Sequence, residues 1–403
     1  MFVVFILFAL LVLAATVALS VIADVSPAAR AHLAFAVGIM PLILAAFDYF
    51  VPVLTRSGAP ASPARALPWL ALAAGLLALA QFIAPGAVPF ALSASALGVL
   101  IAATASAAWM LRRGRHAVGG PHPCLRWYVA AALCLAAASG AVLAMSLWPV
   151  HYVALKRLHL HLNTIGFVGL AAIGTLQVLM PTVAAHPDPG VTDRLSLDLA
   201  PAILGTLLIA AGASWQIELA WVGLALWLVP IVRLGAAWWR LYRADIFSWH
   251  GLAPPLAGAL AGFAMLLATG ALQSAFGRTM ANAAFAFIAL FLVPLLTGAA
   301  AALLPVLLRP GVQTAWHAAF RETEGCVCYP LSPMFPSADL LIINAFGHVE
   351  LVEVKAWDRP LNPETIARVQ KALLKHRDAI PIVLRRKVEL KLVHAVQGED
   401  GAY

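Results

Sequence analysis

From Met1 to about residue 308, apolar stretches follow one another at intervals set by short polar loops, and most of the loops are too short to hold a soluble domain. An α-helix needs about 20 apolar residues to cross the hydrocarbon layer of a bilayer, and that is the length that recurs here. The pattern places spans at about residues 1–23, 31–54, 66–85, 88–111, 127–148, 159–181, 199–216, 219–240, 250–272 and 281–308. Only 11% of the 403 residues are charged and 63% are hydrophobic, a balance that excludes a water-soluble fold for this part of the chain. The first stretch has no basic start and no small-residue cleavage site, so it is read as a first span rather than a removed signal. The four cysteines do not suggest a disulfide framework.

The sixth span carries the most informative pattern. It opens on His159 and His161, closes on Pro181, and on a helical wheel places His159, Asn163, Gly166, Leu170, Gly174, Gln177 and Pro181 along one stripe. His161 points almost the opposite way. Small and polar residues on one stripe are expected at a buried interhelical face. The phrase recurs: His32 precedes Pro52 by the interval that separates His161 from Pro181, and Gly298 precedes Pro305 as Gly174 precedes Pro181. In that third copy Phe285 stands where the histidine would be. The copies fall on the second, sixth and tenth spans, so the expected architecture is an all-α polytopic membrane protein. It has about ten helices in three four-helix pseudo-repeats, the last incomplete.

Lys and Arg are unevenly distributed between the two sets of loops. One set holds Arg56, Arg65, Arg112, Arg113, Arg115, Arg126, Arg194, Arg233, Arg240 and Arg243, the other only Arg30, Lys156, Arg157 and Arg278. The positive-inside rule assigns the first set to the cytoplasm, which puts both chain ends there and the histidines near the outer face. An inner, plasma-type bacterial membrane is the expected location. The loop containing His116, His122 and Cys124 matches no closed metal-site spacing and reads as a turn. Tryptophans near span ends, among them Trp69, Trp127, Trp148, Trp238 and Trp239, read as interfacial anchors.

Three four-helix units, histidines at the outer ends of the second and sixth spans, and the phrase His-Leu-Asn-x-x-Gly-Phe followed by Gly and Pro resemble the haem–copper oxidase subunit I superfamily, in particular its divergent non-oxidase relatives. The resemblance covers about residues 1–320. It implies haem or copper as cofactor, with His32 as an axial haem ligand and His161 as a copper ligand. It departs from the family where the seventh span lacks a histidine pair, the tenth lacks any histidine, and the last two helices are missing. A complete dioxygen-reducing centre is therefore not expected.

Imidazole suits such sites because one ring nitrogen donates a lone pair while the other fixes the ring through a second hydrogen bond. Asn163, one turn from His159, is a candidate partner for that bond. The stripe favours His159 and the repeat favours His161, and histidines at helix mouths also serve as ordinary interfacial polar groups. Asp48 and Gln177 occupy equivalent positions four residues before the proline, where an ionisable residue is either a proton-path group or a structural partner.

The composition changes after about Phe320. From Arg309 onward there are 12 Lys and Arg against 11 Asp and Glu, the balance of a soluble tail. Residues 321–337 read as a linker and 338–403 as a small α+β cytoplasmic domain. Its expected elements are a strand from Asp339 to Asn344, a strand from His348 to Trp357, a helix from Pro363 to Ala379 and a last strand or hairpin from Ile382 to Val396. Asp339, then Glu353-Val-Lys355, then Gln370 on the following helix resemble the PD-(D/E)xK nuclease-like core. That resemblance implies Asp339 and Glu353 holding Mg²⁺, with Lys355 orienting the attacking water.

Three functions follow as expectations. The first is a haem- or copper-binding oxidase-like membrane protein without full oxygen chemistry, whose partners are the lipid bilayer and other respiratory or metal-handling membrane proteins. The second is a membrane-tethered, Mg²⁺-dependent nuclease-like protein acting on nucleic acid. The third is a structural or assembly membrane protein with no cofactor.

Overall fold

The computed structural model describes residues 1–22, 25–117, 120–184, 186–248, 251–276, 283–308, 327–330, 340–343, 349–356 and 388–395. Two compact units divide the chain, Met1–Ala302 and Leu303–Tyr403. The boundary expected near residue 320 lies outside the described residues.

Ten helices in the described residues are long and apolar enough to cross a membrane: α1 (Phe2–Ser20), α2 (Pro27–Leu54), α3 (Ser62–Ile83), α4 (Ala91–Arg115), α5 (Cys124–Leu147), α6 (Pro149–Val183), α7 (Val191–Ser214), α8 (Ile217–Ile246), α9 (Ala253–Ala275) and α10 (Ala283–Leu304). The chain is thus an integral, polytopic helical protein. Every expected span has its helix. Several begin earlier than hydropathy indicates: α7 starts at Val191 and takes Asp193, Arg194 and Asp198 into its first two turns. Charge hid this start, because a carboxylate or guanidinium lowers hydropathy whether or not the helix continues through it.

The helices are not equally enclosed. The apolar window of α6 is 78% buried and that of α2 is 67%, against 28% for α3 and α8, so α2 and α6 are inner pillars with the others ranged around them. Small residues allow the close approach that packing in lipid requires. A Cβ built on Gly166 would lie 2.8 Å from Cys134, and one on Gly174 would lie 2.8 Å from Trp127, so α6 fits its glycines directly onto α5. The stripe read from the sequence is therefore a packed face. Trp127 and Trp238 are fully buried in this packing, not interfacial, while Trp69, Trp148 and Trp239 are exposed as an anchor would be. The Trp127 indole donates to the Leu195 carbonyl at 2.9 Å.

One feature departs from the sequence reading throughout. The two inner pillars and α10 are not uniformly α-helical: α2 is π-wound over His32–Ile39, α6 over Leu162–Gly169 and α10 over Ile288–Leu292. A π turn holds an additional residue and leaves a carbonyl without its usual donor. A wheel drawn at a constant 100° therefore loses phase across the segment. Neighbouring helices press glycines onto two of these segments. A Cβ on Gly75 of α3 would fall 2.1 Å from the Ala36 carbonyl oxygen, and one on Gly262 of α9 would fall 1.8 Å from that of Leu290. Ring contacts tie the pillars together as well: Phe35 of α2 meets Phe287 of α10 at 5.4 Å, and Phe263 of α9 meets Phe291 at 4.9 Å.

In the second unit, four strands are described: β1 (Val327–Pro330), β2 (Leu340–Ile343), β3 (Val349–Ala356) and β4 (Val388–Ala395). They form one sheet in the order β1-β2-β3-β4, antiparallel between the first three and parallel between β3 and β4. A parallel neighbour requires a crossover connection rather than a hairpin. β1 occupies a stretch read from the sequence as linker. The expected helix 363–379, Asp339 and Gln370 lie outside the described residues.

The glycine contacts give a stability test. Gly75→Ala or Gly262→Ala puts a methyl against a backbone oxygen that no rotamer change can move, and overpacking of this kind costs about 1–3 kcal/mol. Gly270→Ala, where nothing lies within 4 Å, is the control. Thermal unfolding of purified protein in detergent should show a lower midpoint for the first two variants and no loss for the third.

Candidate functional site

Two groups of polar side chains are embedded in the helical unit. The first is at the histidine end. His32 begins the π segment of α2, and its Nδ1 lies 2.8 Å from the Ala28 carbonyl. His159 and His161 sit on α6 just before its π segment; the Nδ1 of His159 lies 3.0 Å from the Ala138 carbonyl of α5 and that of His161 lies 2.8 Å from the Arg157 carbonyl. A carbonyl can only accept, so each Nδ1 carries the hydrogen and each Nε2 carries the lone pair. This is the arrangement in which one ring nitrogen is anchored and the other is left to ligate.

The anchors differ from expectation in one respect. Asn163 does lie against the His159 ring, its amide nitrogen 3.3 Å from Nδ1 and 3.5 Å from Nε2, but that amide donates to the His159 main-chain carbonyl at 2.9 Å and the acceptor of the ring hydrogen is Ala138. His32 also stacks on Phe82 at 4.2 Å, which fixes its plane. Among the described residues no three His, Cys, Asp or Glu side chains gather as a metal-binding cluster.

The second group surrounds the proline ends of the pillars. Proline supplies no N–H, so Pro52 and Pro181 leave the main-chain carbonyls of Asp48 and Gln177 without their helical donors. The side chains at these positions are polar and buried: Asp48 keeps one carboxylate oxygen without a hydrogen-bond partner, and Gln177 keeps its amide nitrogen so. The Gln177 amide oxygen accepts from Arg194 Nε at 3.0 Å. Arg194 also donates through Nη2 to Asp188 at 2.5 Å, and the other Asp188 oxygen accepts from the Gly190 N–H at 3.0 Å. Arg233 of α8 lies 3.0 Å from Asp198 of α7, at ion-pair distance but off the line of a hydrogen bond, and both Asp198 oxygens lack hydrogen-bond partners.

Sequence reasoning counted Arg194 and Arg233 as loop charges and passed over Asp188 and Asp198. Arg194 is only 6% exposed and is paired. A usable signal was present: Arg194 and Asp198 are four apart, the spacing that puts two side chains on one helical face.

Comparison of the chain with models of known families, with curated proteins and with solved structures finds no match. Function is argued from the sites alone.

Between α4 and α5, outside the spans, His122 is half-buried and its Nδ1 accepts from the Cys124 main-chain N–H at 3.3 Å, while the His122 main-chain N–H donates to the Leu54 carbonyl at 2.9 Å. Burial, and then the nearby Arg56 charge, hold its pKa below the ordinary value. A base with a depressed folded pKa adds stability above its unfolded value that is lost as pH falls through the folded one. The thermal midpoint should thus drop between about pH 7 and pH 5, around the unperturbed imidazole value. His122→Asn, which retains an acceptor but does not titrate, should flatten that drop in the same detergent assay.

Proposed function

We propose that the helical unit is a haem-binding membrane protein resembling the haem–copper oxidase subunit I superfamily, without the full oxygen-reducing centre. The observation that carries this reading is the pair His32 and His159, on two inner pillars, each with Nδ1 anchored to a carbonyl and the lone pair on Nε2, where the Asn163 amide nitrogen lies 3.5 Å from that of His159. Two imidazoles suit a haem, whose macrocycle supplies the iron's other four donors. They do not suit a copper ion held by protein alone, which calls for at least one further side chain of the kind not found clustered among the described residues. Of the expected ligands, His32 and His159 are assigned to the haem. His161, expected to hold copper, is left as a helix-mouth residue bonded to its own turn.

A haem held by two imidazoles would supply one-electron transfer at iron. This chain's residues do the rest: Ala28 and Ala138 hold the ring tautomers, Phe82 sets the plane of His32, and the tightly packed faces of α5 and α6 exclude water. The π segments support the three-repeat reading, because they fall at equivalent places in the three copies and on the two most enclosed helices. We further propose that the arginine-rich loops face the cytoplasm of a bacterial inner membrane.

A second reading concerns the tail. β2 and β3 pair with Leu340 opposite Val352, so Glu353 is the next residue of β3 beyond the start of β2, and Asp339 immediately precedes that start. Glu353 and Lys355 share one face of β3 by strand alternation. This order is the one a Mg²⁺-dependent nuclease-like site calls for.

Optical spectra of full-length protein purified in detergent test both halves. The expected result is a Soret band that is lost in His32→Ala and in His159→Ala and kept in His161→Ala. A spectrum without a Soret band, with no iron by metal analysis, would leave the structural or assembly reading in its place. For the tail, full-length protein should cleave DNA only with Mg²⁺, and Glu353→Gln should abolish cleavage.

A further inference from the structure

Asp198 is the most deeply buried carboxylate that the haem reading leaves without a role. Its side chain is 0% exposed, while that of its nearest cation, Arg233, is 43% exposed. Neither carboxylate oxygen accepts a hydrogen bond. A fully ionised carboxylate enclosed without hydrogen bonds is costly, and the cost is removed by protonation or by hydration. The groups around it are matched to both. Arg194 sits one turn back on α7, but its hydrogen bonds go to Gln177 and Asp188. Gln177 of α6, itself 0% exposed, holds an amide nitrogen with no acceptor. On the α5 side the Trp127 indole is already committed to Leu195, so α5 brings no donor through that ring.

The cluster linked through Arg194 thus has a bare acceptor on Asp198, a bare donor on Gln177 and one partly exposed cation, Arg233. We propose that Asp198 is a proton-binding site reached from the aqueous face on which Arg233 emerges, with Gln177 and Arg194 completing its hydration. The step is a proton transfer: a hydronium ion gives its proton to a carboxylate oxygen and becomes water, and on release the O–H bond breaks in the reverse sense. No redox partner is required, and the inference is independent of the haem reading.

The two arginines oppose the proton, since each favours the charged carboxylate; Asp188, which neutralises Arg194, limits that opposition. Arg233 is then both the lip of the site and the group that sets how readily the proton leaves. A purely structural ion pair would behave differently, with Asp198 charged at every pH at which the protein stays folded.

The test is infrared difference spectroscopy of the full-length protein in detergent or lipid nanodiscs, wild type minus Asp198→Asn, in H₂O and in D₂O. The expected difference contains the C=O stretch of a protonated carboxyl, shifted in D₂O, replaced by carboxylate bands as pH rises. Arg233→Gln keeps the carboxylate and covers the case in which Asp198→Asn fails to fold. Removing that cation should let the protonated band persist to higher pH by roughly one to three units, the usual effect of an opposite charge at this distance. The proposal is overturned if wild type minus Asp198→Asn shows carboxylate bands alone at every pH, or if Arg233→Gln leaves the titration where it is in wild type.

Discussion

A hydrocarbon layer offers no water to a main-chain carbonyl, so each one must find its donor within the protein. The inner helices of this chain strain that constraint at both ends. Their π segments free carbonyls near the histidines, and their prolines free carbonyls near Asp48 and Gln177. The surrounding packing answers to these places. Glycines on α3 and α9 let neighbouring backbones close onto the Ala36 and Leu290 carbonyls, where any side chain would collide. At the other end, polar side chains and a buried arginine collect around the proline turns. The two candidate sites are thus where the regular helix has been given up.

Much of this was legible in the sequence, and for definite reasons. Ten spans follow from apolar length, which lipid imposes on any helix that crosses it. The His159, Gly166 and Gly174 face of α6 follows from small residues at helical spacing, and it does pack on α5. What was not legible depends on partners distant in the chain. Trp127 looks like an interfacial ring until Gly174 is seen to receive it and Leu195 to accept its N–H. Arg194 looks like a loop charge until Gln177 and Asp188 are seen to bind it. The π segments have no local signature that hydropathy reads, since an extra residue in a turn changes phase and not composition.

The choice among histidines is of the same kind. His159 and His161 are two residues apart and chemically identical, and the sequence offered one argument for each. Their hydrogen-bond partners separate them. His159 is tied across to α5, whereas His161 is tied to its own helix. The tail carries the opposite lesson, since strand alternation and the order Asp339, Glu353, Lys355 were visible in the sequence while β1 was hidden in a stretch of proline and serine.

The π segment of α6 lies between His159 and Gln177. Because it absorbs one residue more than an α-helical stretch of the same height, it acts as a phase shifter between the two halves of a single rod. The upper half can be rotated to suit whatever the histidine meets, and the lower half to suit Arg194, without either adjustment dictating the other. A chain built from repeated copies of such a rod can therefore alter what it holds at one membrane face while keeping the machinery at the opposite face in register.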